Sequence, residues 1–136
     1  MNFQMRLTVW SVAVGALLFG DTSHGAPPPP EVQEVMTKAL SDIPGKEVLM
    51  LSVTYPPGGA DPIHRHDAHA FVYVLEGSIV MGLKGGRQVT LKPGESFYEG
   101  PTDIHTVGRN ASATKPAKFV VLLIKQQGGD VLIPVK

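Results

Sequence analysis

His64, Arg65 and His66 place two imidazoles two residues apart between turn-rich stretches, and a third, His105, stands alone in a later strand-like segment. Residues i and i+2 of a β-strand face the same way, so His64 and His66 can converge on one point as a metal pincer. A third ligand from a neighbouring strand would complete a facial site. The chain has no cysteine, which excludes disulfides, thiolate ligands and a cysteine nucleophile, so any metal must be held through nitrogen or oxygen. Nitrogen-rich ligation disfavours Mg and Ca, which prefer oxygen. The expected cofactor is a divalent transition metal: Fe, Zn, Ni, Cu or Mn.

The elements that must position these residues read as strands. From Glu47 onward, short apolar runs cover 47–55, 63–66, 70–75, 78–83, 88–91, 96–99, 104–108 and 117–125. Turn clusters separate them, among them Pro56-Pro57-Gly58-Gly59, Glu76-Gly77 and Lys92-Pro93-Gly94. This spacing predicts an antiparallel barrel or sandwich. One helix is expected before it. Val32, Val35, Met36, Ala39, Leu40 and Ile43 repeat at three- and four-residue steps, Pro30 suits a first turn, and Pro44-Gly45 ends the pattern.

The chain opens with a segment that is not read as fold. Arg6 precedes an uncharged, mostly apolar run, Leu7 to Gly20, and Ser23 and Gly25 put small residues at the −3 and −1 positions of a cut before Ala26. The run is shorter than the roughly 20 residues that span a bilayer. The expectation is an export signal over 1–25, a Pro-rich spacer and short helix over 26–46, and a β-barrel domain over 47–136. The mature protein would be periplasmic or secreted, with no membrane contact after cleavage.

Composition narrows the partners. The 136 residues suit one domain, and 12 basic against 12 acidic residues leave no net charge. Lys and Arg are scattered singly, so no basic patch exists to grip nucleic acid. A small molecule is the expected ligand. The sequon Asn110-Ala111-Ser112 reads as chance.

Gly58, His64-Arg65-His66, position 70 and Gly77, followed through Phe71-Val72-Tyr73-Val74-Leu75-Glu76, stand at the spacing of the first cupin motif, which this segment resembles. The second motif is looser. Lys92-Pro93-Gly94-Glu95 and His105 fit, but Gly100, Thr102 and Arg109 stand where proline, glycine and asparagine are usual, with Asn110 one place later. The resemblance runs from about Leu49 to Ile124. It implies an all-β, double-stranded β-helix of the jelly-roll kind, often dimeric.

The same resemblance implies that His64, His66 and His105 are metal ligands, and that the family's glutamate ligand falls on Ala70, which cannot coordinate. His69, one residue away, is the candidate substitute, although strand alternation would turn it to the other face. Without a carboxylate, three neutral ligands would leave a divalent ion's charge uncompensated and make it a stronger Lewis acid. An oxygen-chelating substrate bearing an enolate, phenolate or carboxylate could bind there and be activated in a dioxygenase-like reaction, with isomerase and lyase chemistry ranked below it.

Tyr55, Met81, Phe97, Tyr98 and Phe119 are the candidates to line the pocket, core packing being the commoner use of such residues. Glu76, Glu95 and Glu99 each adjoin a turn glycine and read as surface. Glu99 is the one placed to act as a catalytic base. The apolar tail Val131, Leu132, Ile133 and Val135 should cover an edge strand of its own barrel or of a partner's, which favours a homodimer. The alternative to an enzyme is a non-catalytic cupin that binds or senses a small molecule.

Overall fold

The computed structural model describes residues 25–136; the segment read as an export signal lies outside the described residues. The ten strands are Glu31–Ala39 (β1), Lys46–Tyr55 (β2), His64–Arg65 (β3), Ala68–Glu76 (β4), Ile79–Leu83 (β5), Val89–Leu91 (β6), Ser96–Glu99 (β7), Ile104–Asn110 (β8), Ala117–Gln126 (β9) and Ile133–Pro134 (β10). They form two five-stranded sheets, in the orders β1-β2-β9-β4-β7 and β10-β3-β8-β5-β6. Every strand pairing is antiparallel. The strands expected after Glu47 are all present within a residue or two of their expected bounds.

Strict alternation directs the packing. Along β4, Ala68, Ala70, Val72 and Val74 are buried while His69, Phe71, Tyr73 and Leu75 face out. Leu49, Leu51, Val53 and Tyr55 of β2 do the same. With Phe119 and Leu123 of β9 they meet Ile79, Met81 and Leu91 from the other sheet in one core. Each large apolar side chain buried this way contributes about 1.5–3 kcal/mol. At the β4–β5 hairpin the backbone turns through Gly77 at φ 68°, where a Cβ would lie 2.7 Å from the Pro116 carbonyl oxygen. Only glycine fits that turn.

The helix expected over Val32–Ile43 does not form. The segment is β1, which pairs along its length with β2. A bulge explains the misleading pattern. The register slips between Glu34 and Met36, so Val35 is an extra residue, and the two-residue alternation is broken into the three- and four-residue steps of a helix. The expected helix is therefore replaced by an edge strand of the first sheet that begins at Glu31, directly after the Pro-rich segment.

The apolar tail serves its own chain. Ile133 pairs with Arg65, Pro134 with His64, and the Val135 amide donates to the Ile63 carbonyl at 3.2 Å. This covers the outer edge of β3. Asn110, 4% exposed, donates its amide to the Tyr55, Pro56 and Lys115 carbonyls at 3.2, 3.0 and 2.7 Å, and its side-chain oxygen accepts from the Ser112 amide at 2.9 Å. It ties two loops together. No helix among the described residues is long and apolar enough to cross a membrane.

Candidate metal centre

The site lies between the sheets at one end of the barrel. On the second sheet, His64 and His105 are direct cross-strand partners, and His66 follows β3 immediately. The three rings gather as expected: the His64 centroid is 4.7 Å from that of His66 and 4.8 Å from that of His105. His64 Nε2 lies 3.1 Å from His66 Nε2 and 3.3 Å from His105 Nδ1.

Backbone carbonyls set the tautomers. His64 Nδ1–H donates to the Pro62 carbonyl at 2.8 Å, and His66 Nδ1–H donates to the Val131 carbonyl. A neutral imidazole carries one N–H, so both Nε2 atoms present bare lone pairs. Two lone pairs facing each other at 3.1 Å repel unless a cation lies against both. A proton is disfavoured in that role. Burial holds His66 below its ordinary range, and burial together with the neighbouring His64 takes His105 down to about 4. His105 Nε2 is itself buried without a partner.

A buried carboxylate stands at the histidines from the other sheet. Glu99 ends β7 directly opposite Ala70 of β4. Directly opposed residues project to the same face with Cβ atoms about 5 Å apart, so Glu99 is placed to reach the region that a side chain at position 70 would face. Glu99 is 3% exposed, with Oε1 at 3.5 Å from His105 Nδ1 and Oε2 at 3.9 Å from His66 Nε2. Burial, then the charges of Asp61 and Asp103, push its carboxyl up to about 7. The three histidines therefore do not stand alone: a carboxylate from outside the motif lies beside them.

A second acid, Asp61, was not singled out from the sequence. Its amide donates to the Gly108 carbonyl at 2.8 Å, and the Tyr55 hydroxyl donates to its carboxylate. One ligand atom each from Asp61, His64 and His105 lies within 4.8 Å of the others, as is also true of His64, His66 and Glu99. Burial raises the Asp61 carboxyl and, more strongly, the Tyr55 phenol. Gly108 makes this crowding possible: a Cβ there would fall 2.8 Å from the His105 ring and 2.9 Å from both the Asp61 carboxylate and the Tyr55 hydroxyl.

Other candidates fall elsewhere. His69 faces out, its Nδ1 accepting from the Tyr98 hydroxyl at 2.7 Å, so neither His69 nor Tyr98 reaches the site. Tyr55 is fully buried against Phe119, and Phe97 is partly buried against the core. Met81 and Phe119 do line the cavity at the histidines, which has a volume of about 160 Å³. Asp103 accepts from the Gly100 amide at 2.7 Å, a turn-forming role.

The profile of the cupin domain family, Cupin_2, matches residues 51–123. The chain belongs to the cupins. A search of curated proteins finds no match in sequence. Among solved structures, this cupin is similar to an uncharacterised double-stranded β-helix protein from Klebsiella pneumoniae, with 18% identity, a TM-score of 0.63, and 82% of this chain and 90% of that one covered. It is also similar to an oxalate oxidase in complex with the substrate analogue glycolate, with 25% identity, a TM-score of 0.58, and 78% and 55% covered. The DMSP lyase DddQ from Ruegeria pomeroyi matches at 20% identity and a TM-score of 0.57, with 65% and 43% covered, so this cupin spans under half of that lyase.

Proposed function

We propose that this cupin is a metal-dependent enzyme in which His64, His66, His105 and Glu99 hold a divalent transition metal and a small oxygen-bearing substrate binds beside it. The observation that carries the reading is the pair of bare Nε2 atoms on His64 and His66, held face to face by carbonyls and flanked by a buried carboxylate. When bound, such an ion supplies Lewis-acid or redox activation of coordinated oxygen, as dioxygenase-like chemistry requires. The chain does the rest. The Pro62 and Val131 carbonyls orient the rings, the apolar wall excludes water, and Asp61, hydrogen-bonded by Tyr55, stands ready to hold a proton at its carboxylate.

An exported protein remains part of the proposal, on the strength of the sequence before Ala26. So does a homodimer, for which the exposed Phe71, Tyr73 and Tyr98 on the outer face of the first sheet offer an apolar surface. Elemental analysis of the full chain purified from its native compartment, followed by oxygen-uptake assays with enolic and phenolic compounds, tests the central reading. Metal with turnover is expected. Metal without turnover would instead favour a binding or sensing module, and absence of metal would contradict the enzyme reading.

A further inference from the structure

We infer that the ligand of this centre has a single anionic or neutral oxygen head and a compact apolar body, and that small dianions are rejected. This deepens the proposed function and rests on it. The polar groups of the cavity, Asp61, His64, His66, Glu99 and His105, are the ones grouped at the candidate centre, and every other lining residue is apolar. Val32, Val131 and Leu132 are the most exposed of these and form the rim. A cavity of about 160 Å³ compares with the roughly 150 Å³ aliphatic cavity that takes up benzene. The space suits a body of one ring or a short branched chain.

Charge sets the head. A divalent ion with Glu99 bound would carry one net positive charge, and none where Asp61 is also ionised, so the centre takes at most a single anionic oxygen. A second carboxylate on the same ligand would have to lie against the apolar wall. Among the described residues, no lysine or arginine lines the cavity to receive it. Two cations on flanking strands are spent elsewhere: Arg65 pairs with Asp67 on the outside, and buried Lys125 bonds Glu47 at 2.8 Å. Asp61 adds a repelling carboxyl beside the histidines. An unpaired buried carboxylate is strongly disfavoured, so this cupin should discriminate against the diacid even though it shares a fold with an oxalate oxidase.

The test uses the full chain loaded with cobalt(II), after elemental analysis has established uptake, and follows the cobalt absorption bands. Benzoate, pentanoate and glutarate are the probes, since pentanoate and glutarate differ by one terminal carboxylate. Benzoate and pentanoate should perturb the bands at concentrations about tenfold or more below glutarate. Leu132→Arg, which places a cation at the rim, should narrow that gap by about fivefold, read on variant protein whose cobalt content has been established by elemental analysis. Glutarate acting as well as pentanoate on the cobalt-loaded protein, or no gain for glutarate in the Leu132→Arg variant, would overturn this inference and leave the metal reading standing. A protein that takes up no cobalt would overturn both.

Discussion

The two sheets give the cavity unlike things. The second sheet delivers imidazoles from adjacent positions of paired strands, with tautomers set by the carbonyls of Pro62 and Val131. The first delivers one carboxylate at the end of β7 and a wall of aliphatic and aromatic side chains from β2 and β9. One contribution joins the His64–His66 pair, two residues apart, to His105 across the β3–β8 pairing. The other depends on long-range pairing of β4 with β7, which alone brings Glu99 opposite Ala70. The centre is therefore only as well formed as the closure of the two sheets at that end.

The largest effect should come from the second sheet's side. His64→Ala removes the ring that faces both other imidazoles and should lower metal affinity more than about 100-fold, measured by competition with a chromogenic chelator. Affinity within threefold of the parent protein would show that the ion, if any, is held elsewhere.

The two contributions should also titrate in opposite senses in the metal-free protein. Glu99 is raised from its ordinary 4.5 to about 7, so its folded form binds the proton more tightly and stability falls as pH rises across that window. His105 is lowered from 6.5 to about 4, so stability falls as pH drops across that window. Each is worth about 3 kcal/mol, and in the parent protein they largely offset. Glu99→Gln should therefore lose stability on acidification from pH 6.5 to 4, and His105→Asn on alkalinisation from 4.5 to 7, as read by urea denaturation. Parallel slopes in the two variants would contradict the assignment.

Crowding at the junction comes next. Gly108→Ala drives a methyl into His105, Asp61 and Tyr55. It should cost about 1–3 kcal/mol in thermal unfolding and weaken metal uptake. A variant as stable as the parent would mean that the junction is looser than the distances indicate. The smallest effect belongs to the outer face of the first sheet: His69→Ala should change metal affinity not at all and stability by less than about 0.5 kcal/mol. A marked loss of metal would bring His69 back as a ligand.

What was legible in the sequence follows the same division. The His-x-His pair could be read because strand alternation places i and i+2 together without knowledge of the pairing, whereas His105, on another strand, was placed with them by the resemblance to the cupin motifs. Strand positions after Glu47 were legible from alternation and turn residues. Glu99 could be seen only as a weakly placed base, since its standing opposite Ala70 is a property of β4–β7 register, which neither segment encodes alone. His69 attracted attention as the neighbour of the vacant position, yet the alternation of β4 turns it out to Tyr98. The helix expected over Val32–Ile43 shows how one bulge, at Val35, converts a strand's period into a helix's. Asp61 carried no local signal, being one acid in a Gly- and Pro-rich loop whose position is fixed by Gly108 on a distant strand.

The most direct test is to move the carboxylate across the strand pair. Glu99→Ala should lower metal affinity by about 10- to 100-fold, and Glu99→Ala combined with Ala70→Glu should recover most of it, because opposed residues reach the same point between the sheets. Both are measured by chelator competition on protein confirmed folded by circular dichroism. Unchanged affinity in Glu99→Ala, or no recovery in the folded double variant, would contradict the account that a carboxylate from β7 completes the three-histidine centre.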